Sequence, residues 1–320
     1  MKQKIAVIGA GVAGAMAARG LAEAGARVTV FDKGRSVGGR LAQRRHDGAI
    51  FDHGAQFIRP RDPVLTRILE AGIAAGVVAR WRAAETDGRP VYVGKPAMAT
   101  PLKLLLAEVP VETNCRIVRL ARDTAGWWLE DEGDIHHGAF DAVVIAIPPG
   151  QAGALLATIG DSAPAELVAA TERARLAPCW ALLLAFDPPL YLAGFDAKRL
   201  DGGPIAWIAR NTSKPGRAGR DSWTVHASPE WSTTHLEEPA ETVASLLLEA
   251  FFAATGARPV QPRHSEAHRW RYALVTEPVG EAALFDAKSG LGLCGDWCLD
   301  GKIEAAFLSG RALVKLMRDQ

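Results

Sequence analysis

The first 33 residues constrain the fold of this 320-residue chain more than any other stretch. "KIAVIGAG" is nearly all apolar, as a parallel strand buried on both faces must be. "VAGAMAARGLAEAG" follows, rich in helix formers and stopped by Gly25. "ARVTVFDK" is then a second strand that ends at Asp32 and Lys33. Gly9, Gly11 and Gly14 satisfy G-x-G-x-x-G within the strand–turn–helix–strand setting that this pattern needs. Gly9 permits the sharp turn, Gly11 lets the backbone approach a pyrophosphate, and Gly14 lets the helix pack closely on the sheet. The helix N-terminus offers free N–H groups to phosphates, and Asp32 stands where a carboxylate accepts ribose hydroxyls. A Rossmann-type α/β domain holding a dinucleotide is predicted.

A second match, Gly290–Gly295 in "GLGLCGDWCLDGKIEAAFLSG", raises the question of a second nucleotide. Only 25 residues remain after Gly295, and they read as one helix, with an apolar stripe through Ile303, Phe307, Leu308, Val314 and Leu316. No further strand and acid follow, so "LGLCGD" reads as the last parallel strand, before a closing helix that begins near Gly301.

Other partners find little support. The net charge of +1 gives no electrostatic case for nucleic acid or an anionic membrane. No run reaches ~18 apolar residues, so no membrane span is expected. "MKQK" leads straight into the first strand, so no secretory signal is read. Four cysteines make no disulfide scaffold, and a cytoplasmic protein is the expectation. Cys294 and Cys298 read as packing groups. His136 and His137 are strand neighbours pointing to opposite faces, and no metal site is expected. Oligomeric state is left open.

"GRSVGGRLAQRR" follows the acid and carries R-x-x-G-G-R in Arg35, Gly38, Gly39 and Arg40. Here the chain resembles the two-domain FAD-dependent amine oxidase and renalase superfamily. Gly38 and Gly39 would let backbone lie against the cofactor while an arginine neutralises its phosphates. The resemblance implies that "FDHGAQFI" passes the flavin ring, with Gly54, Ala55, Gln56 and Phe57 as contacts. It implies that Ile117 supplies backbone contacts to adenine. It also implies that Asp296 binds a cofactor hydroxyl, and that N–H groups around Lys302, Ile303 and Glu304 face the flavin N1–C2=O edge. The two glycine runs then hold opposite ends of one non-covalent FAD.

The middle of the chain changes character. Helices are expected over "DPVLTRILEAGIAAG" and "PAMATPLKLLLAEV", and a small antiparallel meander over 111–140, returning to a parallel strand in "AVVIAIPP". "WALLLAFD", "GPIAWIARN", "SWTVHAS" and "HSEAHRWRYAL" read as strands of one antiparallel sheet, with "PAETVASLLLEAFFAATG" a helix between the last two. The expected fold is a discontinuous GR2-type FAD-binding domain (1–58, 95–150, 278–320) and a substrate domain of antiparallel sheet plus helices (59–94, 151–277). Strand alternation puts Trp207, Ala209 and Asn211 on one face, Thr224, His226 and Ser228 on another, and His268, Trp270 and Tyr272 on a third. Asn211, His226 and Trp270 are candidates for amide recognition, hydrogen bonding and stacking; satisfied core groups are the competing reading. Lys214, Arg217 and Arg220 in "SKPGRAGR" read as a solvated loop, with substrate phosphates as the alternative.

"WIARNTSKPGRAG", "WTVHASPEWSTTHLE" and "HRWRYA" narrow the resemblance to bacterial renalase-like proteins. That implies oxidation of 2- and 6-dihydroNAD(P) to NAD(P)+, with O2 reduced to H2O2 and no obligate side-chain base. The alternatives are a flavin amine oxidase acting on a small or polyamine-type amine, and a non-catalytic escort protein of the GDI kind.

Overall fold

The computed structural model describes residues 2–85, 88–192 and 194–319. It divides into two compact units, residues 1–39, 102–176 and 275–320 in the first and 40–101 and 177–274 in the second.

The first unit is built on a six-stranded sheet. Its central strand, Lys4–Ile8, pairs in parallel with Arg27–Phe31 on one side and Ala142–Ile145 on the other. Leu291–Leu293 continues the sheet in parallel beyond Ala142–Ile145, and the edge strand Leu284–Asp286 runs antiparallel to it. Val111–Glu112 closes the other edge. Ile5, Val7, Val143 and Leu293 are all buried, because both faces of the sheet are covered, and Ala6, Ile8, Val143 and Ile145 share a core with Leu120, Trp127 and Leu129 of the meander and with Leu155 and Leu156. The first helix is Val12–Glu23 and the closing helix Ile303–Arg318. The predicted meander forms as Ile117–Asp123, Gly126–Asp131 and His136–Phe140.

The second unit carries a five-stranded sheet made from Ala197–Arg199, Ile205–Arg210, Asp221–Ala227, Arg175–Phe186 and His264–Glu277, in that order. The helix Ala240–Thr255 buries Val243, Leu247, Phe251 and Phe252 with Leu182, Leu184, Trp223 and Val225 of this sheet. A short hairpin, Gln43–His46 with Ala49–Asp52, packs Ala49 and Phe51 on Leu183 and Ala185.

Three features differ from the sequence reading. Residues 40–58 group with the second unit, because the hairpin's Phe51 joins that core and Ser222 Oγ donates to Ile50 O. Residues 151–176 group with the first unit, where Leu155, Leu156, Leu167 and Ala170 enter its core. The helix expected over 96–109 is only Thr100–Leu105, because Pro96 and Pro101 supply no N–H for an earlier turn.

Candidate functional site

In the first unit, the residues predicted for a dinucleotide gather at the C-terminal ends of the parallel strands, the usual ligand edge of such sheets. Gly9 has φ +105°, and a Cβ there would lie 2.7 Å from Ala146 O. A Cβ on Gly14 would lie 1.9 Å from Gly9 O, so helix and turn meet backbone to backbone. Gly11 is different. Its φ of −74° suits any residue, and its Cβ would meet nothing within 4 Å. The first helix starts there with no side-chain cap and no acid in its first turn, which leaves its positive end for an anion. Gly38 N donates to Ala10 O at 3.0 Å, and a Cβ on Gly39 would lie 3.7 Å from Gly11 Cα, so the R-x-x-G-G-R segment folds back onto the turn.

Asp32 Oδ2 accepts from Ala10 N at 2.6 Å and Oδ1 from Gly34 N at 2.7 Å. Each oxygen keeps a lone pair for a hydroxyl. Lys33 Nζ lies 3.3 Å from Gln151 Oε1; burial and then Arg116 lower its pKa, against the pull of Asp32. Cys115 N donates to Asp32 O at 2.9 Å, which brings the segment leading to buried Ile117 alongside. Asp296 is buried, and its backbone carbonyl accepts from Leu299, Asp300 and Gly301 N–H groups, turning the chain into the closing helix. That helix begins at Ile303 without a side-chain cap. Two uncapped helix starts, open space above Gly11 and a carboxylate with spare lone pairs fit the diphosphate and ribose of a dinucleotide.

In the second unit, Arg40 O accepts from Ala55 N at 2.8 Å, and Arg40 Nη1 donates to Ala273 O at 3.0 Å. A Cβ on Gly54 would lie 2.0 Å from that Arg40 carbonyl and 3.4 Å from Trp270 Cζ2. Phe57 packs on Trp207 at 5.5 Å between ring centroids. Gln56 is committed internally: Nε2 donates to Asp52 O (2.5 Å) and Gly54 O (2.9 Å), while Oε1 accepts from Lys214 Nζ at 2.9 Å. Both amide hydrogens are therefore used, while Oε1 keeps one lone pair.

The basic loop is the largest departure from the sequence reading. Lys214 and Arg217 are 2% and 1% exposed, so neither a solvated loop nor a phosphate contact describes them. Both turn onto Asp52, whose Oδ2 accepts from Lys214 Nζ at 3.1 Å and from Arg217 Nη2 at 2.8 Å and Nε at 3.1 Å. Arg217 Nη1 donates to Gly94 O and Pro215 O, and Lys214 Nζ sits 5.0 Å from the Trp81 ring centroid. Burial alone would push the Asp52 carboxyl up, but the two cations outweigh it and hold it below its usual value. Burial lowers Lys214 to about 8, which leaves it mostly protonated at neutral pH. One buried carboxylate thus faces two buried cations. Only Arg220 keeps a surface role, with Asp187 at 2.6 Å.

Asn211 also turns inward. It is fully buried, its Oδ1 accepts from Asp52 N at 3.1 Å, and its Nδ2 donates to Thr224 Oγ1 at 3.0 Å. It ties the hairpin to the sheet and is not a substrate group. His226 and Trp270 do converge, because both Nε2 of His226 (3.1 Å) and Nε1 of Trp270 (3.0 Å) donate to His53 O. The His53 ring stacks on Trp270 at 5.0 Å and meets His268 edge-on at 4.8 Å. His268 Nδ1 accepts from Arg44 Nη2 at 3.0 Å, which makes Nε2 its protonated nitrogen, and Arg44 also pairs with Glu266. Burial, then the neighbouring His268, Arg44 and His226, push His53 down to about 3. Burial brings His226 to about 4, and burial with Arg44 does the same for His268. All three imidazoles are neutral at pH 7. His53 Nδ1 is buried without a hydrogen-bond partner among the described residues, an atom that a ligand or water would complete.

The sequence reading missed His53, Asp52, Arg44 and the inward cations. His53 and Asp52 lie inside the quoted "FDHGAQFI", but neither residue type carries a family signature, so local pattern gave no reason to single them out. The four cysteines are free, and burial holds each thiol well above the range of a reactive thiolate.

With that geometry in place, residues 7–71 match the NAD(P)-binding Rossmann-like domain model, and residues 74–316 match the model of flavin-containing amine oxidoreductases. The chain belongs to the flavin-containing amine oxidoreductase family. That family is one of flavin-containing oxidoreductases, and its FAD fits the residues of the Rossmann unit described above. A 59-residue stretch is 49% identical to 4,4'-diapophytoene desaturase of Staphylococcus aureus, covering 18% of this chain and 12% of that one. The desaturase match therefore spans about an eighth of that relative's length. Among solved structures, a candidate protoporphyrinogen oxidase from Exiguobacterium sp. 255-15 has a TM-score of 0.77 at 14% identity, covering 100% of both chains. Cyclohexylamine oxidase from Brevibacterium oxydans IH-35A has a TM-score of 0.73 at 14% identity, covering 100% of this chain and 99% of its own. At these identities the likeness is one of fold. Among the described residues, no helix is long and apolar enough to cross a membrane.

Proposed function

We propose that this family member is a renalase-like oxidase that takes a hydride from 2- or 6-dihydroNAD(P). The balanced reaction is dihydroNAD(P) + O2 + H+ → NAD(P)+ + H2O2. FAD, when bound, accepts the hydride and passes the electrons to O2. The observation that carries the reading is the buried charge imbalance of Asp52 against Lys214 and Arg217, next in sequence to Gly54–Phe57. A net positive centre opposes an ammonium substrate and favours negative charge that develops during hydride transfer. The neutral His53, His226 and His268 offer hydrogen bonds without adding a base strong enough to be needed, and Trp270 offers a stacking face. A dihydropyridine already carries a transferable hydride; an amine must first lose its ammonium proton. The free cysteines suit a reducing, cytoplasmic setting. Turnover of either dihydroNAD(P) isomer should yield one H2O2 per NAD(P)+, with none from putrescine or cyclohexylamine. Peroxide formed from the amines alone would reverse the assignment.

In the same reading Gly9, Gly11, Gly14, Asp32, Lys33, Gly39, Ile117, Asp296 and Ile303 bind FAD, and Arg40, Gly54, Ala55, Gln56 and Phe57 are the further cofactor contacts that the resemblance implies. Charge-assisted hydrogen bonds of this kind are worth roughly 1.5–3 kcal/mol, so Asp32→Ala and Asp296→Ala should each weaken FAD binding about ten- to a hundredfold. Equilibrium dialysis with FAD checks this, and unchanged affinity in both would remove them from the site. The flavin is held without a covalent bond, so acid precipitation should leave its colour in the supernatant.

A further inference from the structure

A second cluster of chemistry-bearing groups lies in the first unit, on the meander. Cys115 precedes its first strand, Asp131 ends the second, and His137 lies in the third. Asp131 Oδ1 is taken by the N–H groups of Gly133 (2.8 Å) and Ile135 (3.1 Å). This turn fixes the carboxylate and aims Oδ2 at the other two side chains. His137 Nε2 lies 3.0 Å from Oδ2, Cys115 Sγ lies 3.6 Å from Oδ2, and Sγ lies 3.7 Å from Nε2. The His137 ring packs against Phe31 at 4.9 Å, which fixes its plane. Cys115 and Asp131 are buried, His137 is partly buried, and its neighbour His136 is exposed.

These separations can be compared with the edges of a tetrahedral zinc site. Bonds of about 2.3 Å to sulfur and about 2.0–2.1 Å to nitrogen and oxygen place sulfur about 3.6 Å from either partner, and nitrogen about 3.3 Å from oxygen. The two sulfur edges agree within about 0.1 Å, and the third would open by about 0.3 Å on binding. The donor set of thiolate, imidazole and carboxylate suits a borderline divalent ion rather than magnesium or calcium, which prefer all-oxygen shells.

We propose that Cys115, Asp131 and His137 bind one zinc-class divalent cation, with the fourth position on the partly exposed His137 side taken by solvent. Binding forms metal–sulfur and metal–nitrogen bonds: the Cys115 thiol proton leaves to solvent, and the proton that His137 Nε2 holds toward Asp131 Oδ2 is given up as Nδ1 becomes the protonated nitrogen of the neutral ring. Because Cys115 N also holds Asp32 O, the ion ties the meander to the strand end that carries Asp32. The site stands apart from the reaction proposed above and does not depend on it.

The test uses the FAD-loaded protein, stripped with a mild chelator and titrated with Co2+, then Zn2+, and followed at wavelengths beyond the flavin absorption. The expected result is an intense tetrahedral Co2+ spectrum that saturates at one equivalent and is displaced by Zn2+. Losing an outer-shell partner costs roughly 10–100-fold in metal affinity, so Cys115→Ser and His137→Ala should each cost more than that, while His136→Ala changes nothing. Absence of saturable binding, or affinity unchanged in both ligand variants, would leave a hydrogen-bonded trio and overturn the proposal. Should either variant misfold, zinc X-ray absorption on the unaltered protein decides: one sulfur neighbour supports the site, and none refutes it.

Discussion

Asp52→Asn is expected to destabilise the second unit by about 3–5 kcal/mol, the cost of leaving buried charge without its partner. Asparagine keeps the shape of the side chain, so the loss is electrostatic. Lys214 and Arg217 would retain Gln56, Gly94 and Pro215 as neutral partners, with no counter-charge in contact among the described residues. Urea denaturation followed by tryptophan fluorescence should report the loss, since the second unit contains Trp81, Trp180, Trp207, Trp223, Trp231 and Trp270. Adding Lys214→Met to Asp52→Asn returns the cluster to its original net charge and should recover part of the loss. A single variant as stable as the wild type would mean that the cluster is solvated. The pH dependence has a definite sign. The Asp52 carboxyl titrates lower when folded than when unfolded, so its contribution is complete above the ordinary carboxylate range. It drains away as pH falls through that range toward the folded value.

Gly11→Ala and Gly14→Ala should fail in opposite ways, although both lie in one pattern. Alanine at Gly11 needs no change of backbone and meets no protein atom within 4 Å, so apo-protein stability should change little. In the proposed placing of the cofactor its methyl would enter the space left for the diphosphate, and FAD affinity should fall by about a hundredfold or more, roughly 3 kcal/mol. Alanine at Gly14 drives a methyl to 1.9 Å from Gly9 O, so helix and turn must separate. Overpacking of this kind costs roughly 1–3 kcal/mol or more, and both apo stability and flavin content should drop. Thermal melts of apo-protein paired with FAD titrations separate the two outcomes. A Gly11→Ala protein with wild-type affinity would contradict the placing of the cofactor.

Local sequence carried most of the first unit and less of the second, for a physical reason. The Rossmann elements are signalled by short-range facts: an apolar run, glycines at fixed spacing and an acid at the strand end. The second glycine match was legible because the apolar stripe after it marks one helix, Ile303–Arg318, that closes the strand Leu291–Leu293. The predicted sheet and the helix Ala240–Thr255 in the second unit were likewise readable from alternation and periodicity. Its charge cluster was not. Lys214 and Arg217 sit in a glycine- and proline-rich loop that looks like surface, and their partner Asp52 lies about 160 residues away. Asn211 misled for a related reason: alternation placed it on a face, but the strand ends at Arg210 and a 3-10 turn carries the amide into the core. Cys115, Asp131 and His137 escaped notice because only strand pairing brings them together.

Anaerobic mixing of the FAD-loaded protein with 6-dihydroNAD(P), followed by flavin absorbance, tests the central claim most directly. The positive cluster and neutral imidazoles of the second unit lead to one expected result: the absorbance bleaches in a single rapid phase, 2-dihydroNAD(P) does the same, and putrescine and cyclohexylamine leave it unchanged. Rapid bleaching by either amine, with no response to the two dihydropyridine isomers, would contradict the account.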